Sequence, residues 1–263
     1  MMRALTFCVA AFVCVSSNTF AAEPAPIKWT VDGVQREALV FPPSTSSKAK
    51  PPVIFAFHGH GGNMQFAARG MAFQNFWPEA IVVYPQGLPT PGIVMDLEGR
   101  KPGWQREAGQ EHDRDLKFLD AILATLREKY SVDETRVYAT GFSNGGLFTY
   151  LVLSERPNLF AAFAPGGAVL LPSVKLTEAR PVFHYGGEKD QLARFAKQQA
   201  TIEQLRKFNG CEAQGEPCGS NCTLYPSAKN APVATFIHPF GHIYPPQVTP
   251  LIVKFFQEHP RPH

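Results

Sequence analysis

The chain has 263 residues, 44% of them hydrophobic and 18% charged, with a formal net charge of +3 at pH 7. Its lysines and arginines are scattered among acidic residues without a basic stripe, which excludes the electrostatic footprint of a nucleic-acid-binding protein. That length is within the range one domain can fill, and no internal repeat interrupts it.

The first segment reads as an address rather than as structure. Arg3 supplies a positive start, residues 4–15 are an unbroken apolar or small-residue run, and residues 16–22 turn polar and then small. The run is too short for a membrane span and has the flanks of an export signal. Residues 1–22 are therefore expected to be a signal peptide, cleaved after Ala21 or Ala22. Cys8 and Cys14 sit inside the apolar run and do not follow the small residues that a lipidation site needs. Residues 23–263 then form one domain of 241 residues with a charge near +2. No later stretch is long and apolar enough to span a bilayer, so a secreted or periplasmic chain without stable membrane association is expected.

Residues 27–31 and 36–41 are short alternating runs joined through Asp32-Gly33, a hairpin signature. Residues 42–52 are a Ser/Pro/Lys loop. Residues 53–57, a continuous apolar run ending at glycine, and 80–84, stopped by Pro85 and Gly87, read as buried strands. Residues 113–130 give the clearest helix: Leu116, Leu119, Leu123, Leu126 and Tyr130 recur at steps of three and four, behind an acidic first turn. A strand over 136–140 and a helix over 145–155 follow, the latter broken by Pro157. Residues 159–164, 181–185 and 233–237 are further strands, and 192–208 and 250–258 further helices. Alternation of this kind implies an α/β protein with a mostly parallel sheet covered by helices on both faces. Active residues in such sheets gather in loops at the strand C-termini.

Three cysteines, Cys211, Cys218 and Cys222, fall within one short polar stretch. In an oxidising compartment two of them should pair and leave the third over. A zinc site competes poorly, because no histidine stands nearby.

The strand ends carry the chemistry. Gly141-Phe-Ser-Asn-Gly145 matches G-x-S-x-G between a strand and a helix. A serine on so tight a turn must adopt strained backbone angles, and flanking glycines let neighbouring backbones pass close. Ser143 is thus the candidate nucleophile. His58-Gly-His-Gly-Gly62 follows the strand at 53–57 and is placed to aim backbone N–H groups at the same point, so the amides of His60 and Asn144 form the expected oxyanion hole. Metal binding by His58 and His60 would need an acidic residue and another histidine close behind, whereas Gly61, Gly62 and Asn63 follow.

Ser143 needs an imidazole with a carboxylate behind it, in the chain order serine, acid, histidine. Asp190 ends Gly186-Gly-Glu-Lys-Asp190 after the strand at 181–185; Glu188 is its rival and is expected to face solvent. His242 follows the strand at 233–237 and precedes the last helix, the position required of the base. His238 lacks the following glutamate of an H-E-x-x-H zinc site, and His184, inside a strand, reads as a satisfied core or edge histidine. Trp104 and Phe142 are candidates for the pocket wall; only Trp104 is assigned to substrate binding.

Together these residues resemble the polyhydroxybutyrate depolymerase and feruloyl esterase family of α/β-hydrolases, related to the acetyl-xylan esterases. The resemblance runs from about Pro52 to the C-terminus. It rests on His58-Gly-His-Gly-Gly62, Tyr84-Pro85-Gln86, Tyr138-Ala-Thr-Gly-Phe-Ser-Asn-Gly-Gly146, Gly187-Glu-Lys-Asp190, Asn209-Gly-Cys211, Gly241-His242 and Phe255-Phe256. It implies the α/β-hydrolase fold, serine ester hydrolysis and a Cys211–Cys222 disulfide with Cys218 free. The chain departs from the family where Ile243-Tyr244 replaces the common Thr-Trp after the base, and no separate polymer-adsorbing domain is expected. Soluble feruloyl or acetyl polysaccharide esters, or short 3-hydroxybutyrate oligomers, are the implied substrates. That chemistry requires no metal or organic cofactor. A serine peptidase of the same fold and a non-catalytic binding module are the rival readings.

Overall fold

A computed structural model describes residues 24–45 and 49–262; the expected signal peptide, residues 1–22, lies outside the described residues. In chain order the elements are β1 (Ile27–Val31), β2 (Val34–Phe41), β3 (Val53–Phe57), α1 (Met64–Met71), α2 (Phe73–Phe76), β4 (Ile81–Pro85), β5 (Leu88–Pro89), β6 (Pro102–Gly103), α3 (Arg114–Tyr130), β7 (Val137–Phe142) and α4 (Asn144–Glu155). They continue with β8 (Ala162–Gly166), β9 (Val182–Gly187), α5 (Phe195–Asn209), β10 (Glu216–Gly219), β11 (Cys222–Tyr225), β12 (Val233–His238) and α6 (Val248–Glu258).

Ten strands form one sheet in the order β1-β2-β4-β3-β7-β8-β9-β12-β11-β10. The six from β4 to β12 run parallel, and an antiparallel hairpin closes each edge. The first hairpin turns at Asp32 and Gly33, both at positive φ, the geometry that an Asp-Gly pair serves between right-twisted strands.

The period of two in a strand sorts the core into two layers. Along β3, Val53, Phe55 and Phe57 pack with buried residues of α3, α4 and α5, while Ile54 and Ala56 face buried residues of α1, α2 and α6. A strand buried on both faces must be apolar at every position, which is why β3 and β4 read as continuous runs.

The cysteine assignment needs correction. Cys222 is joined to Cys218, with Cα atoms 5.0 Å apart, and Cys211 is free. The polar stretch folds into the β10–β11 hairpin, which carries Cys218 and Cys222 to either side of one tight turn. Cys211 instead follows the C-terminus of α5, where its Sγ lies 3.9 Å from the Ala231 carbonyl oxygen. The hairpin places the nearer partner first, and spacing along the sequence gave no sign of it.

Among the described residues, no helix is long and apolar enough to cross a membrane.

Candidate active site

Ser143 stands between β7 and α4 at φ 59° and ψ −119°, a region that side chains with a Cβ rarely adopt. Two glycines make the turn sterically possible. A Cβ on Gly141 would lie 2.4 Å from the Gly145 carbonyl oxygen, and one on Gly145 would lie 2.3 Å from the Phe57 carbonyl oxygen. The serine is thus lifted out of the sheet because the backbones around it close to contact.

Three elements converge on it. The Ser143 hydroxyl is 2.8 Å from His242 Nε2, and His242 Nδ1 is 2.8 Å from Asp190 Oδ2. His242 follows β12 and Asp190 follows β9, so all three side chains sit at the C-terminal ends of parallel strands. Asp190 is buried, and its Oδ1 accepts the amide hydrogens of Leu192 and Ala193. Residues 191–194 form turns under that carboxylate, and α5 starts at Phe195 rather than at 192. Glu188 is exposed and takes no part. The Phe142 ring lies 4.8 Å from the His242 ring, centroid to centroid, and backs it.

The loop after β3 lies against the serine: a Cβ on Gly59 would lie 3.4 Å from Ser143 Cβ. His58 is buried and anchors this loop. Its Nε2 accepts the Gly87 amide hydrogen at 3.0 Å, and Nδ1 donates to the Gly59 carbonyl oxygen at 2.8 Å. Burial pushes its imidazole down to about 4, partly offset by the bond to Gly59, so it is neutral at pH 7 with a single tautomer. Gly61 N–H donates to Pro102. His60 Nε2 instead meets Asp96 Oδ2 at 2.9 Å, and Asp96 also accepts the amides of Arg100 and Lys101. The two histidines are thus turned to different partners. Among the described residues, the backbone amides of His60 and Asn144 have no acceptor within the protein, as donors facing a reacting oxygen require.

Trp104 is not a pocket residue, a second correction. It is 1% exposed, its indole N–H donates to the His58 carbonyl oxygen at 2.8 Å, and its ring stacks on Phe148. Its backbone pairs with the Asn144 side-chain amide: Oδ1 accepts Trp104 N–H at 2.6 Å, and Nδ2 donates to Trp104 O at 3.1 Å. A large aromatic near a glycine-rich loop signals equally a wall or a buried strut, and here its polar handle is consumed by the loop's own backbone. Trp104→Phe is accordingly expected to cost about 1–2 kcal/mol of stability through the orphaned His58 carbonyl while leaving KM unchanged. Urea unfolding together with steady-state rates checks this; a raised KM at unchanged stability would restore the pocket role.

Tyr244 likewise turns inward, its ring against Phe142 and Tyr185 and its hydroxyl 2.7 Å from Thr249, whereas Ile243 is exposed. Sequence reasoning missed Asp96 and Gln198. Asp96 lies in a loop without periodicity, and Gln198 is one polar residue on an α5 face that reads as ordinary helix.

A Ser–His–Asp arrangement, its aspartate buried and its serine and histidine half-buried, stands at the strand ends of a mostly parallel sheet, the architecture of the α/β-hydrolase fold. Residues 103–207 match the prolyl oligopeptidase family. The chain is 27% identical over 201 residues to a bifunctional acetylxylan esterase/xylanase of Neocallimastix patriciarum, covering 75% of this chain and 27% of that protein. It is 27% identical over 199 residues to a probable feruloyl esterase C of Aspergillus clavatus, covering 72% and 69%. The solved acetyl xylan esterase from Aspergillus awamori superposes with a TM-score of 0.62 at 14% identity, covering 89% of this chain and 99% of that one. The chain therefore has the α/β-hydrolase fold and is similar to carboxylic ester hydrolases, although it spans only about a quarter of the bifunctional relative.

Proposed function

We propose that the chain is an exported serine carboxylic-ester hydrolase that works through an acyl-enzyme. The observation that carries this reading is the unbroken series Ser143 Oγ, His242, Asp190, with both contacts at 2.8 Å, on a strained strand-to-helix turn. Ser143 attacks the ester carbonyl while His242 Nε2 takes its proton; Asp190 holds the Nδ1–H tautomer and stabilises the imidazolium. The amides of Asn144 and His60 bind the oxyanion, each contributing about 3 kcal/mol in the transition state. The protonated His242 then gives its proton to the leaving alcohol, and water resolves the acyl-enzyme with the same base.

The proposed substrates are feruloyl or acetyl esters of polysaccharides, or soluble 3-hydroxybutyrate oligomers. The names of the two relatives support the first class. Exposed apolar side chains on both flanks suit an apolar acyl group: Ile93, Val94, Met95 and Leu97 on the loop tied to His60, and Phe240 and Ile243 beside His242. Export is supported by the Cys218–Cys222 disulfide, which persists in oxidising compartments.

A serine peptidase is the second reading, favoured by the prolyl oligopeptidase match. Initial rates on methyl ferulate, an acetylated xylo-oligosaccharide, a 3-hydroxybutyrate trimer ester and a peptide anilide separate the two. Turnover of one ester at least about a hundredfold above the anilide is expected, since an amine leaving group must be protonated in the transition state. An anilide cleaved as fast as the best ester would make the chain a peptidase. No turnover, with no labelling of Ser143 by a fluorophosphonate, would leave a binding module.

A further inference from the structure

The proposed reaction uses only the side of Asp190 that faces His242. Behind it lies a buried polar chain that the reaction does not consume. Gln198, on the first turn of α5 and fully buried, donates from Nε2 to Asp190 Oδ2 at 3.2 Å and to the Ala193 carbonyl oxygen at 2.5 Å. Its Oε1 is 3.1 Å from Nε2 of His184, in β9. His184 is also fully buried, and its Nδ1 is 2.7 Å from the Tyr150 hydroxyl on α4.

Each contact has a forced direction. An amide oxygen carries no hydrogen, so His184 Nε2 holds the proton and donates to Gln198; Nδ1 is then bare and accepts the Tyr150 O–H. Burial keeps His184 neutral, with its pKa lowered to about 4 despite the bond to Gln198. Turning the Gln198 amide over would set its NH2 against the His184 N–H and its oxygen against the Asp190 carboxylate. Gly186 keeps the seat open, because a Cβ there would lie 2.0 Å from Gln198 Oε1.

We propose that Tyr150, His184 and Gln198 form a directed hydrogen-bond chain that positions the Asp190 carboxylate, with His184 fixing which way the Gln198 amide faces. This rests on the reading of Ser143, His242 and Asp190 as the catalytic set. Gln198 and His242 share Oδ2, so Gln198 both holds the carboxylate in the imidazole plane and draws off part of its charge. Without Gln198 the carboxylate is freer to turn, and more of its charge falls on His242. Per-site kcat should drop while KM stays, and the acid limb of kcat/KM should move to higher pH because the imidazolium is better stabilised.

The test compares Gln198→Leu, His184→Leu and His184→Gln with the wild type, on an ester that the wild type turns over. Rates are expressed per site titrated by a fluorophosphonate, so that a loss of folded protein does not count. Both leucine variants are expected to lose about tenfold in per-site kcat at unchanged KM, with the acid limb raised in Gln198→Leu. His184→Gln, which keeps an N–H near the Nε2 position, should recover most of that loss. Should the leucine variants not fold, Tyr150→Phe deletes a single oxygen and is expected to lower per-site kcat about threefold. Wild-type per-site kcat and an unmoved acid limb in the folded variants would overturn the proposal, as would His184→Gln being no better than His184→Leu. Failure of the catalytic set itself would show earlier, as a wild type that the fluorophosphonate does not label.

Discussion

Replacing Ser143 by alanine is expected to lower ester turnover by about a millionfold while moving KM by less than about threefold. The substitution removes one oxygen and leaves the turn that Gly141 and Gly145 make possible, so the fold should persist. What is lost is the hydroxyl that lies 2.8 Å from His242 Nε2 and donates the proton this nitrogen takes up. The amides of His60 and Asn144 remain, and they set the residual rate above that of water. Asp190→Asn should cost about ten-thousandfold for a different reason. In the wild type, Oδ1 accepts two backbone N–H groups and Oδ2 accepts both Gln198 and His242. An asparagine oriented to satisfy the backbone pair would point its NH2 at two donors, forcing the imidazole into the wrong tautomer. Because the groups act as one unit, the double variant should be no slower than Ser143→Ala alone. Single-turnover rates on an activated ester check all three variants, and a Ser143→Ala enzyme within about tenfold of wild type would remove the nucleophile assignment.

Much of this arrangement was legible in the sequence because it is written in local chemistry. A strand buried on both faces has to be apolar throughout, which exposed β3 and β4, and a turn as tight as the one at Ser143 has to be flanked by glycine. The order of Ser143, Asp190 and His242 followed from the order of the strand ends. What stayed hidden depends on contacts across the sheet. Trp104 looked like a pocket wall because nothing in its neighbourhood announces that its indole N–H is spent on His58, 46 residues away. The β10–β11 hairpin was unreadable because its strands are short and polar, and with it went the choice of partner for Cys222. Helix α1 escaped for a similar reason: Asn63 caps it through a bond to the Phe66 amide, but the apolar face of Met64, Ala67, Ala68 and Met71 is only two turns long. Gln198 shows the same limit at the site, since its role comes from facing Asp190 and His184 rather than from its place in α5.

Stability is expected to fall as the pH is lowered from about 6.5 to about 4, before most carboxylates titrate. His58 and His184 are both held neutral by burial, each with its pKa lowered from 6.5 to about 4. Burial lowers His238 and His259 in the same direction. A histidine with a depressed folded-state pKa takes up its proton more readily in the unfolded chain. Its contribution is therefore complete above pH 6.5, shrinks as the pH falls through the interval, and changes no further below about 4. Each of the two well-buried residues can account for up to roughly 3 kcal/mol across that window. The structural consequence differs between them. A proton added to His58 Nε2 would face the Gly87 amide and the Gln86 side-chain amide, two donors that cannot turn away, and the oxyanion loop is anchored there. A proton added to His184 Nδ1 would face only the Tyr150 hydroxyl, which can rotate to accept it. Acid should thus strip activity through His58 in step with stability, because the same protonation that loosens the fold detaches the loop carrying His60. Urea midpoints between pH 7.5 and 4, in wild type and in His184→Gln, give the measurement. About half of the slope should vanish in the variant, and a wild-type midpoint that stays flat across the interval would mean that these histidines are not held neutral by the fold.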